Sequence, residues 1–269
     1  MNTTDFLKNH RSIRRYKSTP IPQNLIDNLI EAGARASNTG NMQLYSVIVT
    51  RDRQNIEKLS NLHYGQGSTA TLFLTICADV NRYHHWCRLR GCDEPYGNLL
   101  WMLSATVDAS LFAQNICVAA ESEGLGFCYL GTVMYNTSKI AALLDIPKGV
   151  VPVITLSMGY PDENPEQSER LPLEGIVHQE KYHHYSDDDI EKIHRLREEW
   201  PFNQEMVRQN GVRNLAELFT TKRYPRKDNE AISAALKEFL AQAGFDSKYP
   251  DPVRTASKCG KGNLFSNRF

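Results

Sequence analysis

Residues 97–122 read GNLLWMLSATVDASLFAQNICVAAES, the most apolar stretch of the 269-residue chain and hydrophobic nearly all round. At about 1.5 Å per residue, a helix of this length can cross a domain or a bilayer. Asp108, Gln114 and Asn115 inside it, and the absence of a second such segment, argue for a helix buried in protein rather than a membrane span. One small sheet gives too little cover for so long and apolar a helix, so a subunit interface is expected along part of it.

The flanking segments set the fold class. From 22 to 36, Leu25, Ile26, Leu29, Ile30, Ala32 and Ala36 recur at helical spacing behind Pro20 and Pro22, which predicts an amphipathic helix. It stops at Ser37-Asn38-Thr39-Gly40-Asn41, a turn-forming cluster whose short polar side chains and backbone N–H groups can face a ligand. Strands are predicted over 44–50, 71–78, 127–130 and 150–158, and shorter helices over 56–62 and 136–144, the latter with Asn136 as cap and Pro147 as stop. Without a regular βαβ rhythm these elements predict an α+β sandwich. After Asn164-Pro165 the composition turns polar. A charged helix follows from Ser186, its cap, to Trp200, with Asp187 to Asp189 complementing the helix dipole. A second amphipathic helix over 228–244 follows the basic cluster Lys222, Arg223, Arg226 and Lys227. The expected organisation is a core over 1–185, a C-terminal helical extension over 186–245 packing on the core or a partner, and a tail over 246–269 that is mobile or draped on a neighbour.

Thirty-one basic against 31 acidic side chains leave no net field of the kind nucleic-acid binders use, so nucleic acid is not an expected partner. MNTTDFLKNHRS lacks a basic region followed by an apolar one, so a cytoplasmic protein is expected. Six cysteines in this length fall far below disulfide-scaffold density and read as reduced thiols.

Three motifs carry candidate chemistry. HRSIRRY at 10–16 gathers three guanidinium groups and a hydroxyl, an anion-binding composition, with a solvated basic loop as the plain alternative. HYGQGS at 63–68 is a glycine-rich connection that lets backbone approach a bound group; it is not a GxGxxG fingerprint, and no GxxxxGK occurs. His84, His85, Cys87 and Cys92 cluster in YHHWCRLRGC near His63 in sequence, but their spacing fits no standard zinc pattern, and no metal is expected. His178, His183 and His184 read as surface and packing residues, and His194 as solvent-facing.

In order along the chain, HRSIRRY, SNTGNMQ, YGQGS, CADVNR, AAESEGLG, CYLGT and LSMGYPDENP…RLP together resemble the FMN-dependent nitroreductase family, most closely its NADPH-preferring oxygen-insensitive nitroreductase and flavin reductase branch. The resemblance covers about residues 5 to 178. It implies an intertwined homodimer with a mainly antiparallel sheet flanked by helices, a long central helix at the interface, and FMN sites between subunits. By position it puts His10, Arg11, Ser12 and Arg14 at the flavin phosphate, ribityl chain and ring edge, and Asn38, Thr39 and Gln43 against the isoalloxazine. Gln66 falls at ribityl and ring oxygens, Tyr129, Leu130, Gly131 and Thr132 beside N5 and O4, and Arg170 at the phosphate. Ser168 stands where relatives often carry Lys, and Thr132 where they tend to carry a second glycine. The implied reaction is hydride transfer from NADPH or NADH through flavin N5 to nitroaromatic, quinone or flavin acceptors by a ping-pong mechanism. Arg14, opposing charge at N1 and O2, and the backbone of Gly131, facing N5, are the catalytic candidates. Lys222, Arg223, Arg226 and Lys227 are candidates for the 2′-phosphate of NADPH. A flavin-binding carrier or redox module, or another reductase of the same fold such as a reductive dehalogenase, is the alternative.

Overall fold

A computed structural model describes residues 2–92 and 97–245. In chain order the first elements are α1 (Thr3–Lys8), α2 (Gln23–Ala34), β1 (Tyr45–Thr50), α3 (Arg53–Leu62), β2 (Leu72–Asp79), α4 (Asn81–Leu89) and α5 (Leu99–Ser122). Next come β3 (Gly126–Tyr129), a 3₁₀ turn (Gly131–Met134), α6 (Thr137–Leu143) and β4 (Val150–Gly159). The C-terminal part holds α7 (Asp187–Glu199), α8 (Pro201–Gln209), the short α9 (Leu215–Glu217), a π-helical turn (Leu218–Arg223) and α10 (Arg226–Gln242). The tail over 246–269 lies outside the described residues.

The four strands form one sheet in the order β1-β2-β4-β3, every pair antiparallel. β2 is buried along its whole length because the sheet is covered on both sides. Leu72, Leu74, Ile76 and Ala78 join the cluster under α2 and α5, while Phe73 joins the opposite cluster with Ile56, Leu59 and Ile140 from α3 and α6. That two-sided cover explains the unbroken apolar run in β2, since alternate side chains leave opposite faces of a strand. Pro152 lies inside β4, and the register shifts at Ile76/Cys77 opposite it, a bulge where a residue without N–H cannot complete the ladder.

α5 spans the expected range, with the Asn98 side chain capping it by accepting from the Trp101 N–H at 3.1 Å. One stripe, including Ala105, Ala109, Phe112, Ala113 and Ile116, packs on the sheet and on α2. The contact with α2 is close: a Cβ on Gly33 would come within 2.6 Å of Ile116 Cγ1. The opposite stripe, Leu100, Leu103, Val107 and Leu111, is apolar yet open, with Leu100 at 63 % and Val107 at 56 % exposure. The helix is long and apolar enough to cross a membrane by length and composition, but one of its faces is buried in protein, as expected, while the other is open.

Ser186 caps α7 as expected, in a reciprocal capping box with Asp189. Asn136 sits at the start of α6 but does not cap it; its Nδ2 donates instead to the Leu62 carbonyl at 2.7 Å. His194 is half-buried rather than solvent-facing, on the wall of a ≈ 630 Å³ cavity between α7 and α9. The helix expected over 228–244 begins two residues earlier, so Arg226 and Lys227 belong to its first turn.

Candidate active site

HRSIRRY lies along the end of the sheet as an added edge. The Ile13 N–H donates to the Phe127 carbonyl at 2.9 Å, the Lys17 N–H donates to the Tyr160 carbonyl at 2.8 Å, and Tyr16 bridges to Pro161. Two glycines make room for it: a Cβ on Gly126 would come within 2.7 Å of Ile13, and one on Gly159 within 2.8 Å of Tyr16. The buried Tyr16 hydroxyl is shared among the Ile13 carbonyl at 2.5 Å and the Ser157 carbonyl and Oγ, both at 2.9 Å. Burial raises its pKa well above the ordinary phenol range.

This anchoring separates the three arginines. Glu163 accepts from the backbone N–H groups of Arg14 at 2.5 Å and Arg15 at 3.0 Å, and from the Arg15 guanidinium at 3.1 Å. Burial alone would raise the Glu163 pKa, but those donors hold it below the usual carboxylate value. Arg15 therefore pairs with a carboxylate. The Arg14 guanidinium instead lies against the Cys128 thiol, pulling down a pKa that burial pushes up. Arg11 makes only a bond to the Asn9 carbonyl at 3.2 Å, so neither Arg11 nor Arg14 is neutralised by an acid among the described residues. His10 is held by Glu121 at the end of α5, Nδ1 to Oε1 2.5 Å, and stacks on Phe127 at 5.1 Å. His10 and Arg11 line a ≈ 300 Å³ cavity whose other walls include Ile13, Gly124 and Pro161.

Two further segments meet this arm at buried Ser157 of β4. Cys128 pairs with Ser157 in the sheet, which carries Tyr129, Leu130, Gly131 and Thr132 to the same end. Gly67 of the 63–68 loop has φ +71°, and a Cβ there would come within 2.9 Å of Ser157 Cβ and 2.7 Å of Phe73, so only glycine lets the loop, and exposed Gln66 with it, lie this close. Tyr129 donates to Gln114 Oε1 on α5 at 3.3 Å, and the Leu130 N–H donates to the Thr155 carbonyl at 2.8 Å. In front of Gly131 there is open space: a Cβ built on it meets nothing within 4 Å.

The turn at 38–43 is elsewhere. Asp108, buried in α5, accepts from the Thr39 N–H and Oγ1, both at 2.9 Å, and from the Leu44 N–H at 3.3 Å. Asn38 Oδ1 accepts from the Gln43 N–H at 3.2 Å, and Gln43 adopts φ +54°. Thr39 is thus fixed to residue 108 and His10 to residue 121 of one helix, about 20 Å apart along its axis. Arg170 does not join either group. Its guanidinium folds onto the carbonyls of Ser168 at 3.3 Å and Glu169 at 3.0 Å, and Ser168 is exposed.

Of the other candidates, no group of three or more His, Cys, Asp or Glu side chains capable of holding a metal forms among the described residues. His84 is half-buried, Cys87 buried, and His85 and Cys92 exposed. Burial pushes the Cys77 and Cys117 thiols up to about 12, far from the thiolate state a reactive cysteine needs. In the basic cluster, Arg226 pairs with Glu230 at 2.9 Å and Arg223 lies over the Phe219 ring. His178, Tyr182, His183 and Tyr185 form an aromatic cluster in which Tyr182 and His183 are exposed and His178 and Tyr185 half-buried, with His178 Nε2 3.1 Å from the Tyr185 hydroxyl. Sequence reading missed Glu163, Asp108 as a turn anchor, and the wholly buried His63; the signal available for Asp108 was a carboxylate inside an apolar helix.

Comparison with known proteins gives the family. The profile of the Nitroreductase family matches residues 7–71 and 102–160. An oxygen-insensitive NADPH nitroreductase of Salmonella typhimurium is 35 % identical over 182 residues, 67 % of this chain and 74 % of that protein. An FMN reductase (NADPH) of Bacillus subtilis is 32 % identical over 191 residues, 70 % of this chain and 77 % of its own length. The crystal structure of an oxidoreductase from Bacteroides fragilis superposes with a TM-score of 0.88 at 43 % identity, covering 90 % of this chain and all of that one.

Proposed function

The chain belongs to the nitroreductase family, and from that premise we propose that it binds FMN between two copies of itself, each site drawing on both. It is an FMN-containing NAD(P)H oxidoreductase, with nitro compounds, quinones and flavins as its class of acceptors. The observation that carries the two-copy site is the separation along α5. One chain anchors the 38–43 turn at Asp108 and His10 at Glu121, about 20 Å apart along α5, and the open apolar stripe Leu100, Leu103, Val107 and Leu111 flanks the turn's anchor. Packing that stripe against its own copy buries Leu100, Leu103, Val107 and Leu111 and brings the turn of one subunit towards the arginines of the other.

The residues present suit the cofactor. Arg11 and Arg14 keep unneutralised guanidiniums for the phosphate and ring edge, because the nearby Glu163 and Glu121 are already occupied by Arg15 and His10. Ser12, Gln66 and the Asn38–Gln43 turn supply hydroxyl, amide and backbone groups for the ribityl chain and ring. Gly131 leaves space for a planar ring and presents its backbone. Bound FMN supplies the hydride chemistry in both halves of a ping-pong cycle. Arg14 opposes the negative charge that develops at the pyrimidine edge, the role of an oxyanion hole, and needs no proton transfer to do so. Tyr129, Leu130 and Thr132 fix the Gly131 backbone, and the exposed face beside it admits nicotinamide and acceptor in turn. Arg170 joins the phosphate only by leaving its own carbonyls. Residues 1–185 form the flavin-binding core, and 186–245 extend it. The NAD(P)H requirement fits a cytoplasmic setting.

Subunit mixing tests this. Arg14→Ala in one chain and Thr39→Ala with Gln43→Ala in the other each damage both sites of their homodimers. The mixed dimer regains one undamaged site, so mixing restores FMN binding and NADPH oxidation to about half per dimer. No recovery on mixing, with exchange of subunits verified, would refute a site shared between copies.

A further inference from the structure

His63 takes no part in the chemistry above, yet it is the most completely buried histidine of the described chain, at 0 % exposure. It ends α3 and opens the 63–68 loop, with its ring edge-on to Phe73 at 6.1 Å. Its Nδ1 lies 2.8 Å from Thr132 Oγ1, and its Nε2 is buried with no partner. Burial keeps the ring neutral, lowering its pKa to about 4. A neutral ring carries one N–H, and a buried donor without an acceptor is worse than a buried lone pair without a donor. The proton therefore sits on Nδ1 and is donated to Thr132. A second bond joins the same two segments, the Asn136 Nδ2 donation to the Leu62 carbonyl at 2.7 Å.

We propose that His63 is a positioning residue: through Thr132 it clamps the loop bearing Gln66 to the turn bearing Gly131, setting the gap between two arms of the site before any ligand enters. The inference rests on those arms facing FMN. Gly67 allows the loop to lie close but does not fix its distance from the 131–134 turn; the His63–Thr132 and Asn136–Leu62 bonds do. Without the clamp the loop must be ordered when FMN binds, and the lost preorganisation appears as weaker binding.

The test uses apoprotein of the full chain, titrated with FMN and followed by flavin fluorescence, with the unfolding midpoint recorded for each variant. Thr132→Val, which keeps shape and removes the acceptor, is expected to weaken FMN binding about tenfold, the loss of one partly buried hydrogen bond. His63→Leu should do the same, and the double variant should bind no worse than His63→Leu, because both substitutions break one bond. His63→Asn, whose amide nitrogen can occupy the Nδ1 position, should recover to within about threefold. A residue that only filled the core would lower the unfolding midpoint without this pattern in FMN affinity. If His63→Leu fails to fold, Thr132→Val with His63→Asn carries the test. Thr132→Val binding within twofold of the unaltered protein, or additive losses in the double variant, overturns the clamp alone. Failure of the unaltered apoprotein to take up FMN overturns the proposed function together with it.

Discussion

Asp108→Asn probes the joint between α5 and the 38–43 turn with almost no change in shape. The carboxylate receives three donors: the Thr39 N–H and hydroxyl on one oxygen and the Leu44 N–H on the other. In the amide, one oxygen can keep the Thr39 pair, but the NH₂ then faces the Leu44 N–H, donor against donor. The substitution loses one bond outright, leaves Leu44 unsatisfied at a buried position, and removes charge assistance from the other two, about 3 kcal/mol in all. At roughly 2–4 °C per kcal/mol for a domain of this size, the unfolding midpoint of apoprotein should fall by about 6–12 °C at fixed protein concentration. FMN affinity should fall as well, since the proposed site takes this turn from the partner subunit. A midpoint within about 1 °C of the unaltered protein, with unchanged FMN affinity, would show that Asp108 does not hold the turn.

The other expectations test separate joints. Tyr16→Phe removes the hydroxyl shared by the Ile13 carbonyl and Ser157, and urea unfolding should show a loss of about 1–3 kcal/mol. Glu paired substitutions Leu103→Glu and Val107→Glu place two carboxylates on the open α5 stripe; sedimentation should show monomer, with FMN retention lost. His63 is neutral in the fold with its pKa lowered to about 4, against about 6.5 unfolded, so below pH 6.5 the unfolded chain binds more protons. Its burial is then without penalty above pH 6.5 and costs up to roughly 3 kcal/mol as pH falls towards 4, and His63→Asn should flatten that part of the stability–pH curve measured by urea. Glu163 has the opposite sense: its lowered pKa contributes stability above the unfolded carboxylate value and loses it as pH falls through the folded one, so Glu163→Gln should be destabilising at pH 7 and much less so at the acid end.

Much of the fold was legible because it is local. The helical spacing from Leu25 to Ile30, the Ser186–Asp189 capping box and the β-branched run in β4 each carry their own signal. The long apolar segment was legible as a helix, but its two faces were not, because which stripe meets the sheet and which is left open depends on where Gly33 lets α2 approach. α8 and α9 were not read: α8 follows α7 after the single residue Trp200 and buries only Asn203, and α9 is three residues long. In the site, the clustering of arginines was visible. Hidden from sequence were the partners that decide geometry: Glu163 is about 150 residues from Arg14, Asp108 is 69 from Thr39, and Thr132 is 69 from His63. Asn136 shows the limit of local rules, since a good cap residue was drawn away by a carbonyl 74 residues distant.

The claim that this chain is an FMN-dependent NAD(P)H oxidoreductase is tested most directly by mixing FMN-loaded protein with NADPH, and separately NADH, in the absence of oxygen. Bleaching of the yellow flavin absorbance, and its return on adding a nitro compound or quinone, is the expected result. FMN that stays oxidised with both nicotinamides would contradict it.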